Sequence, residues 1–356
     1  MALTKVDQTM VSDQVFGRRN VVINGAMQVA QRGTQTGLGA SSLYGATDRF
    51  RIVTNNIGGR MTIEQSTDAP NGFGNSVKLS CTTTDTSLAA GDYLSFSTRL
   101  EGRDMQRFKK GTSDAEKFAV SFYVKANANA TYVCELYDYD NFRHVNQTFS
   151  VTTAWTRVEL SFPADTTGEL DNDINISFAI NIYLHAGSNF TGGTLQSTWG
   201  TGYRATGTDN FFDSTDRTLF LTGVQLEVGD NATPFEHLSF GEELVLCQRY
   251  YQKSRDNSPP TQNSFGGIQI NVPSGTDPQI VIPLHPNMRT SPSTTLYSSY
   301  GSGTSGQWYG LAFGNSFSSN ARTHGASSRG FIIDNSDIGS SQAGWCEIGY
   351  VAESEI

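Results

Sequence analysis

Apolar and polar residues alternate along many stretches of the chain, and this period of two is typical of β-strands with one buried and one wet face. The clearest stretches are Phe118–Val124, Val158–Phe162 and Ile174–Leu184. Strict alternation favours antiparallel sheets, because the strands of parallel sheets are buried on both faces and are continuously apolar. Many such strands with no helix between them predict an all-β chain built on a two-sheet β-sandwich.

One helix is predicted, starting at Ser239 and ending near Lys253. Ser239 and Glu242 have the spacing of a capping box, in which each side chain accepts a hydrogen bond from the backbone N–H of the other residue. Thr233-Pro234 offers an earlier start, but apolar residues at helical spacing begin only after Ser239. These apolar residues are Leu244, Cys247, Tyr250 and Tyr251.

A second, smaller β-sandwich is predicted after the helix. Pro259 and Pro260 cannot continue a helix, and short alternating stretches recur beyond them. These stretches are 268–272, 280–284, 294–297, 311–313, 331–333 and 348–351. A chain of 356 residues also exceeds the usual size of one domain. We therefore divide it into an N-terminal segment (1–19), a first β-sandwich (20–238), a helix with its linker (239–260) and a C-terminal β-sandwich (261–356).

Composition and charge limit the classes of partner. Hydrophobic residues make up only 37% of the chain, but 21 Phe and 14 Tyr can still fill a core. The net charge of −9, with no long basic run, argues against nucleic acid and anionic membrane surfaces. No apolar run is long enough to span a bilayer, so we expect no membrane insertion. The polar N-terminus has no secretory signal, which predicts synthesis in a cytoplasm. Neutral glycans and other proteins remain open as partners.

Catalytic and metal-binding motifs are absent from the sequence. The four cysteines are far apart without a CxxC pair, and the five histidines include no HExxH. We therefore assign no catalytic residue and no cofactor, and the sequence leaves any metal ligands unknown. Asp138 and Asp140 could chelate calcium through alternating carboxylates, although a plain turn fits better, so a structural calcium stays open. A glycan hydrolase also stays open, because the spacing of a carboxylate pair is invisible in sequence.

Two aromatic clusters are candidate ligand-binding sites. A pyranose ring has apolar faces and polar edges, so sugar sites combine flat aromatic rings with hydrogen-bonding side chains. Trp199, Tyr203 and Arg204 offer this mixture within a Gly- and Thr-rich stretch, and Trp308 and Tyr309 offer it again in the second module. The alternative, which we favour for each Trp taken separately, is that the side chain fills a core or a subunit interface.

Several segments resemble a signature of bacteriophage virion proteins, chiefly tail fibres and related appendage proteins. They are QLEVG (225–229), ATPFEH (232–237) and GEELVLCQRYY (241–251), together with NVVING (20–25) and Asp48-Arg49-Phe50. Phe50 stands where this family usually has Trp, which keeps an aromatic ring but removes an indole N–H donor. We refer to these five stretches as the signature segments.

The resemblance implies a jelly-roll-like first sandwich and a non-enzymatic tail fibre or spike that attaches to a host surface, either a glycan or a protein. It also implies location in the virion, a homotrimer, and attachment to other virion proteins through the N-terminal segment. The distal second module would be the binding tip. The main alternative is a purely structural role, as a capsid decoration or adaptor protein.

Overall fold

The computed structural model of the chain describes residues 18–254, 268–272, 279–298, 306–310, 315–318, 321–335 and 344–356. Most of the predicted N-terminal segment, the Pro259-Pro260 linker and the strand expected at 311–313 lie outside the described residues. The first β-sandwich lies entirely within them.

The first sandwich consists of two six-stranded antiparallel sheets. The first sheet has the order β1-β4-β5-β12-β7-β10 and the second has the order β2-β3-β6-β11-β8-β9. Their strands are β1 (Gln35–Leu38), β2 (Leu43–Tyr44), β3 (Phe50–Asn55), β4 (Arg60–Ser66), β5 (Ser76–Thr83), β6 (Tyr93–Glu101), β7 (Phe118–Ala126), β8 (Ala130–Asp138), β9 (Arg143–Val151), β10 (Thr156–Phe162), β11 (Ile176–Ala186) and β12 (Thr218–Val228). The predicted all-β, antiparallel, jelly-roll-like class is therefore confirmed.

Alternate side chains of the two sheets fill one continuous core between them. Phe118 lies near its centre, stacked on Phe108 at 4.5 Å and on Phe178 at 5.4 Å between ring centroids. Phe50 is 1% exposed and stacks on Phe96 at 5.4 Å between ring centroids. The aromatic residue of the signature segment Asp48-Arg49-Phe50 therefore packs in this core. All four cysteines are buried among the apolar side chains of the cores, where a thiol packs as a small hydrophobic group.

The predicted helix begins where its sequence indicates. Helix α3 spans Phe240–Gln248 after two one-turn helices, α1 (Gly102–Met105) and α2 (Ser188–Thr191). Both hydrogen bonds of the capping box form: Ser239 N donates to Glu242 Oε2 at 3.0 Å, and Glu242 N donates to Ser239 Oγ at 3.4 Å. The start at Ser239 is therefore confirmed.

The predicted end of the helix near Lys253 is wrong. The helix stops at Gln248, and Tyr251–Lys253 form strand β13. This strand pairs with residues 351–353 of strand β21 (Gly344–Glu353). The physical reason is tertiary: ladder hydrogen bonds to a strand a hundred residues away replace the helical ones, and local spacing cannot reveal them.

The C-terminal part of the chain forms two further antiparallel sheets. One has the order β13-β21-β17-β18, with β14 and β16 also paired to β21, and the other has the order β15-β20-β19. Their other strands are β14 (Ile268–Val272), β15 (Gln279–Pro283), β16 (Ser293–Ser298), β17 (Gln307–Gly310), β18 (Asn315–Ser318), β19 (Ala321–Ser327) and β20 (Gly330–Asn335). A separate core that includes Leu284, Phe331 and Ile348 lies between them. The exact domain boundaries stay a prediction.

The two sandwiches meet at a buried ionic contact around Arg49, which we call the joint. The Arg49 side chain is 2% exposed, and its guanidinium lies 3.5 Å from the centroid of the Tyr250 ring. It pairs with the carboxylate of Glu355 and donates to the carbonyl oxygen of Arg99 at 2.8 Å. One side chain of the first sandwich is thereby bonded to the last residues of the second.

Arg32 makes similar contacts with the neighbouring tyrosine, Tyr251, and with the same C-terminal carboxylates. Its guanidinium lies 3.9 Å from the centroid of the Tyr251 ring. Its Nη2 bonds to Glu353 at 2.9 Å and to Glu355 at 3.1 Å. Asp48 lies behind it, 3.8 Å from Arg32 Nη1. The joint therefore contains two arginine side chains, each of which contacts a tyrosine ring and the carboxylate of Glu355.

The remaining signature residues fix α3 and β13 to the first sandwich. Glu243 on α3 accepts from Asn24 N at 2.6 Å, and Asn24 Nδ2 donates to the carbonyl oxygen of Asp48 at 2.9 Å. Arg249 bonds Glu101 through two nitrogens at 3.1 and 2.9 Å, and the Tyr250 hydroxyl donates to Glu101 at 2.5 Å. The signature segments thus assemble a structural connection.

We expect Arg49→Met to lower the free energy of unfolding by about 3–5 kcal/mol, because it leaves the buried Glu355 carboxylate without its main partner. Urea denaturation followed by fluorescence would measure this change. Lys117→Met is the matched control, since it removes a solvent-exposed partner of Asp230 and should change stability by less than about 1 kcal/mol. Equal effects of the two substitutions would contradict the structural role of the joint.

Candidate functional site

The segment between β11 and β12 packs against the outer face of the second sheet, the face that points away from the core. Leu195 and Ala205 contact Val133 and Tyr183 of that sheet. The backbone of Gly200 exchanges two hydrogen bonds with His144 on β9, at 2.9 and 3.0 Å. The Gly- and Thr-rich stretch that carries the first predicted aromatic cluster is therefore an ordered cover over part of this face.

Within that cover, Trp199 occupies a core-filling position, which the sequence left as the alternative to ligand binding. Its ring lies 5.5 Å from Phe118 and 6.0 Å from Phe178 between centroids. Its Nε1 donates to the carbonyl oxygen of Pro163 at 2.7 Å. The indole is thus held by the core on one side and by a backbone acceptor at its polar edge.

Tyr203 and Arg204 point toward the outer face instead. Tyr203 is 39% exposed, and its ring lies over Gly193, where a Cβ atom would come within 2.3 Å of the ring. Arg204 bonds both carboxylate oxygens of Glu135 on β8 at 2.7 Å. Its guanidinium lies 4.3 Å from the centroid of the Tyr137 ring. Two of the predicted site residues are therefore brought together with residues that the sequence analysis did not single out.

Trp308 and Tyr309 lie in a different module. Both belong to strand β17, and Tyr309 is opposite Glu347 of β21. Their side chains lie outside the described residues. The two predicted clusters are thus carried by separate sandwiches. One ligand could contact both clusters only if it contacted both modules.

A row of hydrogen-bonded polar residues crosses the outer face at right angles to its strands. Ser97 on β6, Asn181 on β11 and Glu135 on β8 are direct cross-strand neighbours. Ser97 Oγ donates to Asn181 Oδ1 at 2.6 Å, and Asn181 Nδ2 donates to Glu135 Oε2 at 2.7 Å. Each is at most 4% exposed. The Glu135 carboxylate accepts hydrogen bonds from Asn181 and Arg204.

Above this row lies a half-exposed layer of arginine and tyrosine side chains, which we call the Arg–Tyr layer. It consists of Arg51, Tyr93, Arg99, Tyr137, Tyr139 and Arg204. The Arg99 guanidinium lies 5.4 Å from the Tyr139 ring centroid, and the Tyr137 and Tyr139 rings meet edge to face at 4.7 Å. Burial raises the pKa of the Tyr93 and Tyr137 phenols, so they stay neutral donors at neutral pH.

This layer offers what a sugar ring needs: flat aromatic surface, hydroxyl groups and rigid guanidinium donors in one patch. Sequence reasoning missed it because its residues come from β3, β6, the end of β8 and the cover. The one local signal was the stretch LYDYD, where Tyr137 and Tyr139 alternate with Asp138 and Asp140. In sequence alone, that alternation indicates a plain turn or a pair of carboxylate ligands rather than a tyrosine surface.

The carboxylate of Asp138 faces a buried lysine. Lys110 is 3% exposed, and its Nζ lies 2.5 Å from Asp138 and 3.1 Å from Asp165. It also donates to the carbonyl oxygens of Thr167 and Gly168 at 3.1 and 2.7 Å. The Lys110 ammonium group therefore supplies the positive charge that pairs with the Asp138 and Asp165 carboxylates. Within the described part of the chain, no group of three or more His, Cys, Asp or Glu residues could hold a metal ion.

No known family's sequence profile matches this chain, and no curated protein matches it either. Solved structures give weak similarities. A CBM4 module has a TM-score of 0.30 and 10% identity over 58% of this chain and 97% of its own. A family 11 carbohydrate-binding module from Clostridium thermocellum, in complex with a mixed-linked tetrasaccharide, has a TM-score of 0.28 and 10% identity over 58% of this chain and 98% of its own.

The enzymatically active domain of a tailspike protein from bacteriophage CBA120 has a TM-score of 0.30 and 13% identity over 59% of this chain. The match spans 21% of that tailspike's length. Because scores and identities of this size are low, the fold assignment stands on the sheets of the chain itself. In the described ranges, no helix is long and apolar enough to cross a membrane.

The stability of the first sandwich should fall as the pH drops from about 7 to about 5, because two buried histidines resist protonation. Burial lowers the pKa of His144, although Glu135 opposes this shift, and burial likewise lowers that of His185, although Asn210 opposes it. An unfolded histidine takes up a proton as the pH falls through about 6.5, whereas these two do so only at lower pH. The protein therefore takes up protons when it unfolds between about pH 7 and pH 5, and its free energy of unfolding falls as the pH drops through this range.

Urea denaturation at several pH values measures this dependence. The double variant His144→Gln, His185→Gln should have a shallower decline of unfolding free energy than the wild type. His285→Gln, which removes an exposed histidine, is the matched control. Equal slopes in the double variant and the wild type would contradict the assignment.

Proposed function

We propose that the protein is a non-enzymatic tail fibre or spike of a bacteriophage virion that attaches to a glycan on the host surface. The observation that carries the glycan part is the Arg–Tyr layer, where aromatic rings and guanidinium groups lie together on a preformed polar floor. Rigid side chains held by buried hydrogen bonds lose little entropy on binding, which favours affinity. The virion part rests on the resemblance of the signature segments.

We place the glycan contact on the first sandwich, at the Arg–Tyr layer, with Tyr203 and Arg204 at its edge. Trp308 and Tyr309 of the second module remain a second candidate surface. The connection between these modules is ionic and buried at Arg49 and Glu355. Both candidate surfaces would therefore be presented by one assembly on the virion.

The alternative function is a purely structural virion component, such as a capsid decoration or adaptor protein. One observation favours it: the signature residues that resemble phage proteins, among them Arg49, Arg249 and Tyr250, are engaged in the joint between the sandwiches. Because these residues connect the two sandwiches, their presence is compatible with any appendage or adaptor protein of this architecture. A glycan-binding assay separates the two functions.

We expect the purified protein to bind a subset of glycans on an array of bacterial surface polysaccharides. Tyr137→Ala should weaken that binding about 3- to 10-fold, because it removes an aromatic contact surface. Phe240→Ala is the matched control, since Phe240 is 54% exposed on α3 and outside the layer. Loss of binding in Trp308→Ala with no effect of Tyr137→Ala would move the site to the second module. Absence of binding to every glycan would favour the structural alternative.

We also propose that the protein is a homotrimer, attached to other virion proteins through its N-terminal segment and located in the virion. This proposal follows the resemblance, since three-fold symmetry is usual among fibres of this kind. Sedimentation equilibrium at micromolar concentration should give three times the 38.7 kDa chain mass. A monomer at that concentration would contradict the trimer.

A further inference from the structure

The Arg–Tyr layer has a local charge opposite to that of the whole chain. The chain carries a net charge of −9, whereas the layer contains Arg51, Arg99 and Arg204. The buried carboxylate that faces the layer, Glu135, bonds Arg204 through both oxygens. Among the described residues, the other two guanidinium groups, Arg51 and Arg99, form no salt bridge with an Asp or Glu side chain.

Arg51 and Arg99 lie close together on neighbouring strands. Arg51 on β3 is opposite Ser97 on β6, and Arg99 is the next residue of β6 on the same face. The pKa of Arg51 is lowered, first because burial removes water and then because the positive charge of Arg99 repels it. Arg51 Nη1 also lies 3.4 Å from a backbone oxygen of Ile356. Two like charges are thus held side by side.

The Nε donors of both arginines are buried and have no hydrogen-bond acceptor in the described part of the protein. A buried donor without a partner destabilises the folded state, and a charged one does so more strongly. Nearby acids are already engaged elsewhere: Glu355 pairs with Arg32 and Arg49, and Glu101 pairs with Arg249. No Asp or Glu side chain among these neighbours therefore competes with a ligand for Arg51 and Arg99.

We propose that the Arg–Tyr layer binds an acidic glycan, whose anionic group is bonded by Arg99 and Arg51. This inference rests on the proposed glycan-binding function and specifies its substrate class. Guanidinium groups match the planar geometry of a carboxylate and the oxygens of a sulfate or phosphate. Tyr137 and Tyr139 lie beside Arg99 and provide the surface for the sugar ring that carries the charge.

The test uses the full chain on an array that contains uronic-acid, sialylated, sulfated and phosphorylated glycans beside their neutral counterparts. Acidic glycans should bind and their neutral counterparts should not, and binding should weaken at high salt because the attraction is screened. Arg99→Ala should weaken binding about 10-fold or more, since it removes a charge-assisted hydrogen bond. Arg99→Lys should restore part of the affinity. Arg322→Ala, at an arginine whose side chain is 59% exposed in the second module, is the matched control.

The outcomes separate this inference from the proposed function. Binding to neutral glycans alone, or acidic-glycan binding that Arg99→Ala and Arg51→Ala leave unchanged, would overturn the acidic specificity and leave glycan attachment standing. Failure to bind any glycan would overturn both. Thermal unfolding midpoints of the variants show whether a loss of binding reflects a loss of the fold, in which case Arg99→Gln, which preserves more of the side chain, replaces Arg99→Ala.

Discussion

The architecture depends on the burial of a guanidinium group between an aromatic ring and a carboxylate. Arg49 belongs to the first sandwich, Tyr250 to the segment after the helix and Glu355 to the last strand region of the second sandwich. A buried charge is destabilising unless it is paired and hydrogen-bonded. The three elements must therefore be in place together, and the contact selects one arrangement of the chain.

This constraint gives the signature segments a physical meaning. Several of their polar residues bond one another or a partner in the first sandwich: Asn24 bonds Glu243, Asp48 bonds Gln31, and Arg249 bonds Glu101. Such a network specifies where the helix and β13 must lie, but it does not present a surface to a ligand.

Local features of the fold could be predicted from sequence, and features set by distant contacts could not. Alternation in Val158–Phe162 indicated a strand because a half-buried strand shows its two faces in its own sequence. The start of α3 at Ser239 was equally local. Its end was not, since β13 exists only through pairing with β21.

The candidate site was harder to predict for the same reason. Tyr203 and Arg204 were found because they are adjacent in sequence, but Arg51 and Arg99 come from different strands and become neighbours only in the sheet. The net charge also concealed the site. It left neutral glycans and other proteins open, and it could not show that Arg51, Arg99 and Arg204 lie on one face of a sheet.

The ammonium group of Lys110 supplies a covalently attached counter-charge to the carboxylates at one corner of the first sandwich. It sits among Asp138, Asp165 and two backbone carbonyl oxygens, where many proteins would place a dissociable cation. A counter-charge carried on a covalent side chain can be neither diluted nor removed by a chelator. The turn that holds Tyr139 beside Arg99 should therefore keep its shape whether the surroundings are fresh water, brine or a calcium-depleted buffer.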